Sequence, residues 1–184
     1  PVRGPGGIAI PPAGSTAYVA HAGINSVVVI DTASNTVVTT VLVGSTPREI
    51  AISPDGAVAY VGDNSSGEVY IIAVATNTVV TTVSVGSSAY GGAVTPDGAF
   101  VYVTAAVGSS VEVIDTSTNT VITSIAVGSF PRTIAMTPDG AFVYTANNTA
   151  SSGSVIDTSS NTVVTTGAVG SSPRGLAVPP AGAR

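Results

Sequence analysis

The sequence predicts an all-β fold, a β-propeller of four-stranded antiparallel blades, and three observations carry that prediction. Val43-Gly44, Val85-Gly86, Val127-Gly128 and Val169-Gly170 recur every 42 residues without one insertion or deletion. A period of about 40 to 50 residues marks a propeller or another stacked array. Each period holds four short runs rich in Val, Ile, Thr and Tyr, divided by clusters of turn residues, as short strands joined by tight turns read. No window sustains the 3.6-residue period of an amphipathic helix. The 184 residues therefore divide into four 42-residue blades, 1–42, 43–84, 85–126 and 127–168, and a segment 169–184 holding the first strand of a fifth repeat.

The second repeat shows the elements in order. Residues 48–53 (REIAIS) are short and apolar, opened by Pro47 and closed by Pro54-Asp55-Gly56, and read as an innermost strand ending in a tight turn. In that turn Gly56, like Gly98 and Gly140, supplies a positive φ, and Asp55, Asp97 and Asp139 bond to nearby backbone amides. Residues 57–61 (AVAYV) return as the second strand, and the loop 62–67 leads to the third, 68–73 (EVYIIA). The next turn is clearest at 31–36, 115–120 and 157–162, where Asp-Thr-x-x-Asn-Thr makes Asp31, Asp115 and Asp157 turn caps rather than a carboxylate array. Repeat two keeps only the second half of that turn, with Ala73 in place of the aspartate. The fourth strand, 78–83 (TVVTTV), carries Thr78, Thr81 and Thr82 and makes, with its counterparts, a hydroxyl-rich outer rim. Phe100 and Tyr102 share one face of a second strand while Val101 and Val103 take the other, so both faces are apolar, as sheets between two neighbours require.

Composition narrows the function classes. Apolar residues are 44% of the chain but aromatics only 5%, the make-up of tightly stacked sheets. The net charge is −5, lysine is absent, and the five basic residues are Arg3, Arg48, Arg132, Arg174 and Arg184. A nucleic-acid partner wants a basic face, which this balance does not provide. The lack of cysteine excludes disulfides and thiolate metal sites. No apolar run approaches the roughly 18 residues of a membrane span. The start at Pro1 and the incomplete fifth repeat lead to the expectation that the chain is part of something longer.

The repeat resembles a known family, the YVTN-type β-propeller repeat of bacterial and archaeal surface-layer and other extracellular proteins. The residues that carry the resemblance are Tyr18-Val19-Ala20-His21, Tyr60-Val61-Gly62-Asp63, Tyr102-Val103-Thr104-Ala105 and Tyr144-Thr145-Ala146-Asn147, with the Pro-Asp-Gly turns, the Ile-Asp-Thr segments and the Asn-Thr-Val that opens each last strand. The resemblance implies a propeller, usually of about seven or eight blades, and an extracellular or cell-surface setting. It implies no particular reaction, because one fold hosts many functions.

Equivalent positions on successive blades form rings about the axis, so chemistry should recur with the period. Arg48, Arg132 and Arg174 each follow a proline at the start of an innermost strand, with Gly6 and Tyr90 at that position in the other repeats. They are the candidate anion-binding rim, set against the reading of polar groups at a solvated channel edge. His21 is the sole histidine and its counterparts Asp63, Ala105 and Asn147 do not repeat its chemistry, so no metal site is expected. There is no Gly-x-Ser-x-Gly elbow and no glycine loop before a helix, so neither catalytic residues nor a cofactor are expected. Two sequons make Asn64 and Asn147 candidates for glycosylation. The preferred reading is a non-catalytic extracellular scaffold or adhesion module that self-associates, by pairing of four-blade arcs or by strand donation through 169–184, with surface glycans as further partners. The alternative is a propeller that binds a small anionic ligand, or a lactonase-like enzyme, at the arginine-bearing mouth.

Overall fold

The computed structural model describes residues 4–86 and 88–179, and the expected all-β propeller architecture forms: sixteen strands and, among the described residues, no helix. The first sheet comprises β1 (Pro5–Ala9), β2 (Thr16–His21), β3 (Ser26–Asp31) and β4 (Thr36–Leu42), and the second β5 (Pro47–Ile52), β6 (Val58–Asp63), β7 (Glu68–Ala73) and β8 (Thr78–Ser84). The third holds β9 (Ala89–Val94), β10 (Phe100–Ala105), β11 (Ser110–Asp115) and β12 (Thr120–Ala126), and the fourth β13 (Pro131–Met136), β14 (Phe142–Asn147), β15 (Ser152–Asp157) and β16 (Thr162–Ala168). Every sheet is an antiparallel meander in chain order.

The turns form for the reasons legible in the sequence. Gly56, Gly98 and Gly140 hold φ of 74°, 75° and 75°, which glycine adopts without steric cost. Asp55 Oδ1 accepts the Ala57 amide at 2.9 Å, and Asp97 Oδ1 that of Ala99 at 3.0 Å. Asp31, Asp115 and Asp157 accept the Ser34, Ser117 and Ser159 amides at 2.7, 2.8 and 2.8 Å. They are turn caps; the Ser117 and Ser159 hydroxyls and then their amides hold Asp115 and Asp157 below the usual aspartate pKa, and the Ser34 amide and then its hydroxyl do so for Asp31.

The apolar cores lie between sheets. Tyr18, Val27, Val29 and Val41 close on Ala59, Val61 and Ile72 of the next sheet. Tyr60, Val69, Ile71 and Val83 close on Val101, Val103 and Ile114, and Tyr102, Val111, Val113 and Ile125 on Ile134, Val143 and Ile156. Each sheet thus has a trailing face with a tyrosine and a leading face of branched aliphatics. Tyr18 Oη donates to Asn77 Oδ1 at 2.6 Å and Tyr102 Oη to Asn161 Oδ1 at 2.6 Å. That bond gives the Tyr-Val and Asn-Thr motifs a reason to recur together: the tyrosine of one blade reaches the turn asparagine of the next.

The described residues form an arc. The innermost strands pack in the order β1, β5, β9, β13. The leading face of the first sheet is uncovered, with Ile8 63% and Ile10 55% exposed. Val19 and Ile30 are half-exposed there, while Val61, Val103, Ile72 and Ile114 at the same positions are buried. On the trailing face of the fourth sheet Tyr144 is half-exposed, unlike Tyr18, Tyr60 and Tyr102. Gly153 and Gly167 stand there where the other sheets carry valine or isoleucine. The expected first strand of a fifth repeat, 169–184, is described as far as Pro179; up to that point it joins no ladder and lies against Thr145, Ala146 and Gly153. Asn148 Nδ2 donates to the Pro173 carbonyl at 3.0 Å and ties it there.

Candidate functional site

The site begins with an irregularity that the repeat places four times. The β1–β2 ladder slips between Pro5 and Ile8, β5–β6 between Pro47 and Ile50, β9–β10 opposite Val103 and Ala105, and β13–β14 between Pro131 and Thr133. In three of the four strands a proline opens the slip, and proline has no N–H to give a ladder. Such a bulge sets extra residues against the partner strand and re-aims their side chains. The bulges display Gly6-Gly7, Arg48-Glu49, Tyr90-Gly91 and Arg132 on the inner wall of the arc.

Two guanidinium groups meet on one tyrosine. Arg48 Cζ lies 5.5 Å and Arg132 Cζ 4.7 Å from the Tyr90 ring centroid, and Arg132 Nη2 donates to Tyr90 Oη. Each cation gains roughly 0.5–2 kcal/mol from a ring so placed. Arg48 Nε is buried without a hydrogen-bond partner, as is Thr133 Oγ1 at the neighbouring bulge. The Glu49 carboxyl lies against Gly91, where an added Cβ would stand 2.8 Å from both Glu49 Oε2 and the Arg132 carbonyl oxygen. The bare glycine therefore makes room for the acid. Burial pushes the Glu49 pKa up to about 7, against the opposing pull of Arg132. Thr104 Oγ1 accepts the Gly91 amide at 2.9 Å and donates to the Arg132 carbonyl at 3.0 Å, locking β9, β10 and β13 together behind the site. In front, Gly6, Gly7, Ile8, Arg48, Glu49, Ile50 and Tyr90 line a cleft of about 310 Å³.

Of the expected arginine rim, Arg48 and Arg132 converge, whereas Arg174 is exposed on the segment after β16. The rim is a pair joined by Tyr90 rather than a ring of three, because Tyr90 occupies the arginine position of the blade between them. Asn64 is half-buried in its loop. Asn147 is 0% exposed, with Nδ2 donating to Ser152 Oγ at 3.1 Å and Ser154 Oγ at 2.9 Å. The glycosylation expected at Asn147 is therefore corrected: the folded chain has no space for a sugar there. His21 Nδ1 accepts the Gly23 amide at 3.1 Å, and no three His, Cys, Asp or Glu side chains gather to hold a metal among the described residues. Sequence reasoning passed over Glu49 and Tyr90. The available signals were that Glu49 is the one acid in an innermost strand and that Tyr90 breaks the arginine register.

Residues 2–180 match a family model described as YNCE-like beta-propeller. The chain belongs to that family. This YNCE-like propeller is similar to a chain of Kuenenia stuttgartiensis hydrazine synthase, with 28% identity and a TM-score of 0.86 over 92% of this chain and 50% of that one. It is also similar to a functionally unknown protein from Desulfotomaculum acetoxidans, with 22% identity and a TM-score of 0.78 over 90% of this chain and 56% of the other. The YNCE-like propeller thus spans about half the length of each of these solved chains. Comparison with curated proteins found no match.

Proposed function

We propose that this YNCE-like propeller is a non-catalytic scaffold module, working outside the cell or on its surface, that acts by joining a second copy of itself. One observation carries the reading: no further sheet covers the leading face of the first sheet or the trailing face of the fourth, which meets only the segment after β16, and they are the two kinds of face that pack together inside the arc. Ile10, Val19 and Ile30 present branched aliphatics like those of the buried leading faces. Tyr144 and Val155 supply a trailing face in which Gly167 leaves space, while Val169 packs over Gly153. Two arcs meeting head to tail about one axis cover both faces twice. Contiguous exposed apolar surface of this kind marks an interface. The hydroxyl-rich outer strands and the half-buried Asn64 support a surface setting.

Size-exclusion chromatography with light scattering tests the reading. The 17.8 kDa chain should run at twice its mass at micromolar concentration, and Val19→Asp or Ile30→Asp should return it to one. A wild-type chain that stays monomeric, or a dimer indifferent to both aspartates, overturns it. A chain ending at Ala168 that dimerises equally well assigns the junction to the sheet faces rather than to strand donation by the C-terminal segment.

A further inference from the structure

We propose that the inner-wall cleft binds a small organic carboxylate, its charged end on the Arg48 guanidinium and its apolar body against Ile8 and Ile50. The site lies within one arc and does not rest on pairing between copies. Three features of the geometry lead here. Arg48 brings a planar fork of donors, the shape that accepts a carboxylate through two parallel bonds, and its Nε has no partner in the protein. An orphaned buried donor on a cation is costly, and a native site usually has a reason to keep one. Arg48 also stands over a held partner, because Arg132 contacts the same Tyr90 ring and donates to its Oη. A guanidinium positioned beforehand loses less freedom on binding.

The cleft itself selects the ligand class. Its volume of about 310 Å³ is at the lower end for small-molecule sites. Gly6 and Gly7 keep one wall free of side chains, and a Cβ at Gly6 would stand 2.7 Å from the Arg48 carbonyl oxygen. Ile8 and Ile50 line the same space, and Ile8 is the more exposed of the two. An inorganic anion leaves those isoleucines uncovered, whereas an organic acid covers them. Glu49 from β5 also lines the cleft, with Arg48 beside it and Tyr90 and Arg132 facing it from β9 and β13. Its charged form repels a dianion more than a monoanion, which again favours a carboxylate over a phosphate.

Amide-resolved NMR titration of the full chain with benzoate, benzamide and inorganic phosphate tests the proposal at pH 6 and pH 8. Benzoate should bind at pH 6 with a Kd below about 1 mM, with the largest shifts at the amides of Gly6, Gly7 and Tyr90. Benzamide, the same body without the charge, and phosphate, a charge without the body, should each bind at least tenfold more weakly. Arg48→Gln should weaken benzoate at least tenfold, while Arg174→Gln leaves it unchanged. Glu49→Gln should restore at pH 8 the affinity seen at pH 6. If Arg48→Gln does not fold, Arg48→Lys keeps the charge without the fork and should still lose several-fold. No saturable benzoate binding at 10 mM (~tenfold above the expected Kd) overturns the proposal. So does equal binding of benzamide, tighter binding of phosphate, or wild-type affinity in the Arg48 variants.

Discussion

Asp63 is 0% exposed and its carboxylate organises a whole loop, so Asp63→Ala should be the most damaging single truncation of a polar side chain in the second blade. Its Oδ2 accepts the Thr46 amide at 2.7 Å, and its Oδ1 accepts the Ser65 and Ser66 amides at 2.9 and 2.8 Å and the Ser66 hydroxyl at 3.1 Å. Position 46 needs this help. Ser88, Phe130 and Ser172, its counterparts, turn through left-handed φ of 50° to 56°, whereas Thr46 does not. A β-branched residue is strongly disfavoured in that region, so Thr46 takes another path and hands its N–H to Asp63. Removal of the carboxylate leaves the buried Thr46 amide without a partner, at about 2 kcal/mol. Ser65 and Ser66 are exposed and recover water, so each of their amides loses only about 0.5 kcal/mol. The total, about 3 kcal/mol, corresponds to a fall in Tm of roughly 6–12 °C for a chain of this size. The variant should still fold, since blade three has Ala105 at the same position. Thermal unfolding followed by circular dichroism measures the effect, with Asp157→Ala, an exposed turn cap, as the control expected to fall by less than half as much. An Asp63→Ala variant melting within about 2 °C of wild type refutes the account of the loop.

Three further outcomes are expected. Tyr102→Phe removes the bond to Asn161 across the third and fourth blades and should cost about 1 kcal/mol in urea unfolding. Gly91→Ala forces a methyl against the Arg132 carbonyl oxygen and Glu49, both at 2.8 Å, and should destabilise by about 1–3 kcal/mol. The pH dependence has two windows of opposite sign. Because the Glu49 pKa is raised to about 7, the folded state keeps a proton that the unfolded state has lost, so stability is full below the usual glutamate pKa of 4.5 and falls as pH rises through about 7. Asp31, Asp55, Asp97, Asp115, Asp139 and Asp157 are all lowered, so their contribution is present above the usual aspartate value and is lost as pH falls below it. Urea unfolding at pH 5.5 and pH 8 should show the higher stability at pH 5.5, and Glu49→Gln should reduce the difference; equal slopes in variant and wild type would falsify the assignment to Glu49.

Period, strands and turns were legible because they depend on residues near one another in the chain. Pro-Asp-Gly turns a strand wherever it stands, and alternation of side chains sets the two faces of a sheet without reference to a neighbour. Asp115 and Asp157 could be read as caps for the same reason: their partners are two residues away. The site was decided between blades. Arg48, Tyr90 and Arg132 are spaced 42 residues apart and meet only because successive innermost strands stack with their bulges in line. The depth of Glu49 depends on Gly91 of the next sheet being bare. Asn147 reads as an open sequon along the chain, yet Ser152 and Ser154 of the paired strand enclose it. Asp63, Ala105 and Asn147 share one register and differ in chemistry, because a repeat specifies where a side chain points while its surroundings decide what that side chain does.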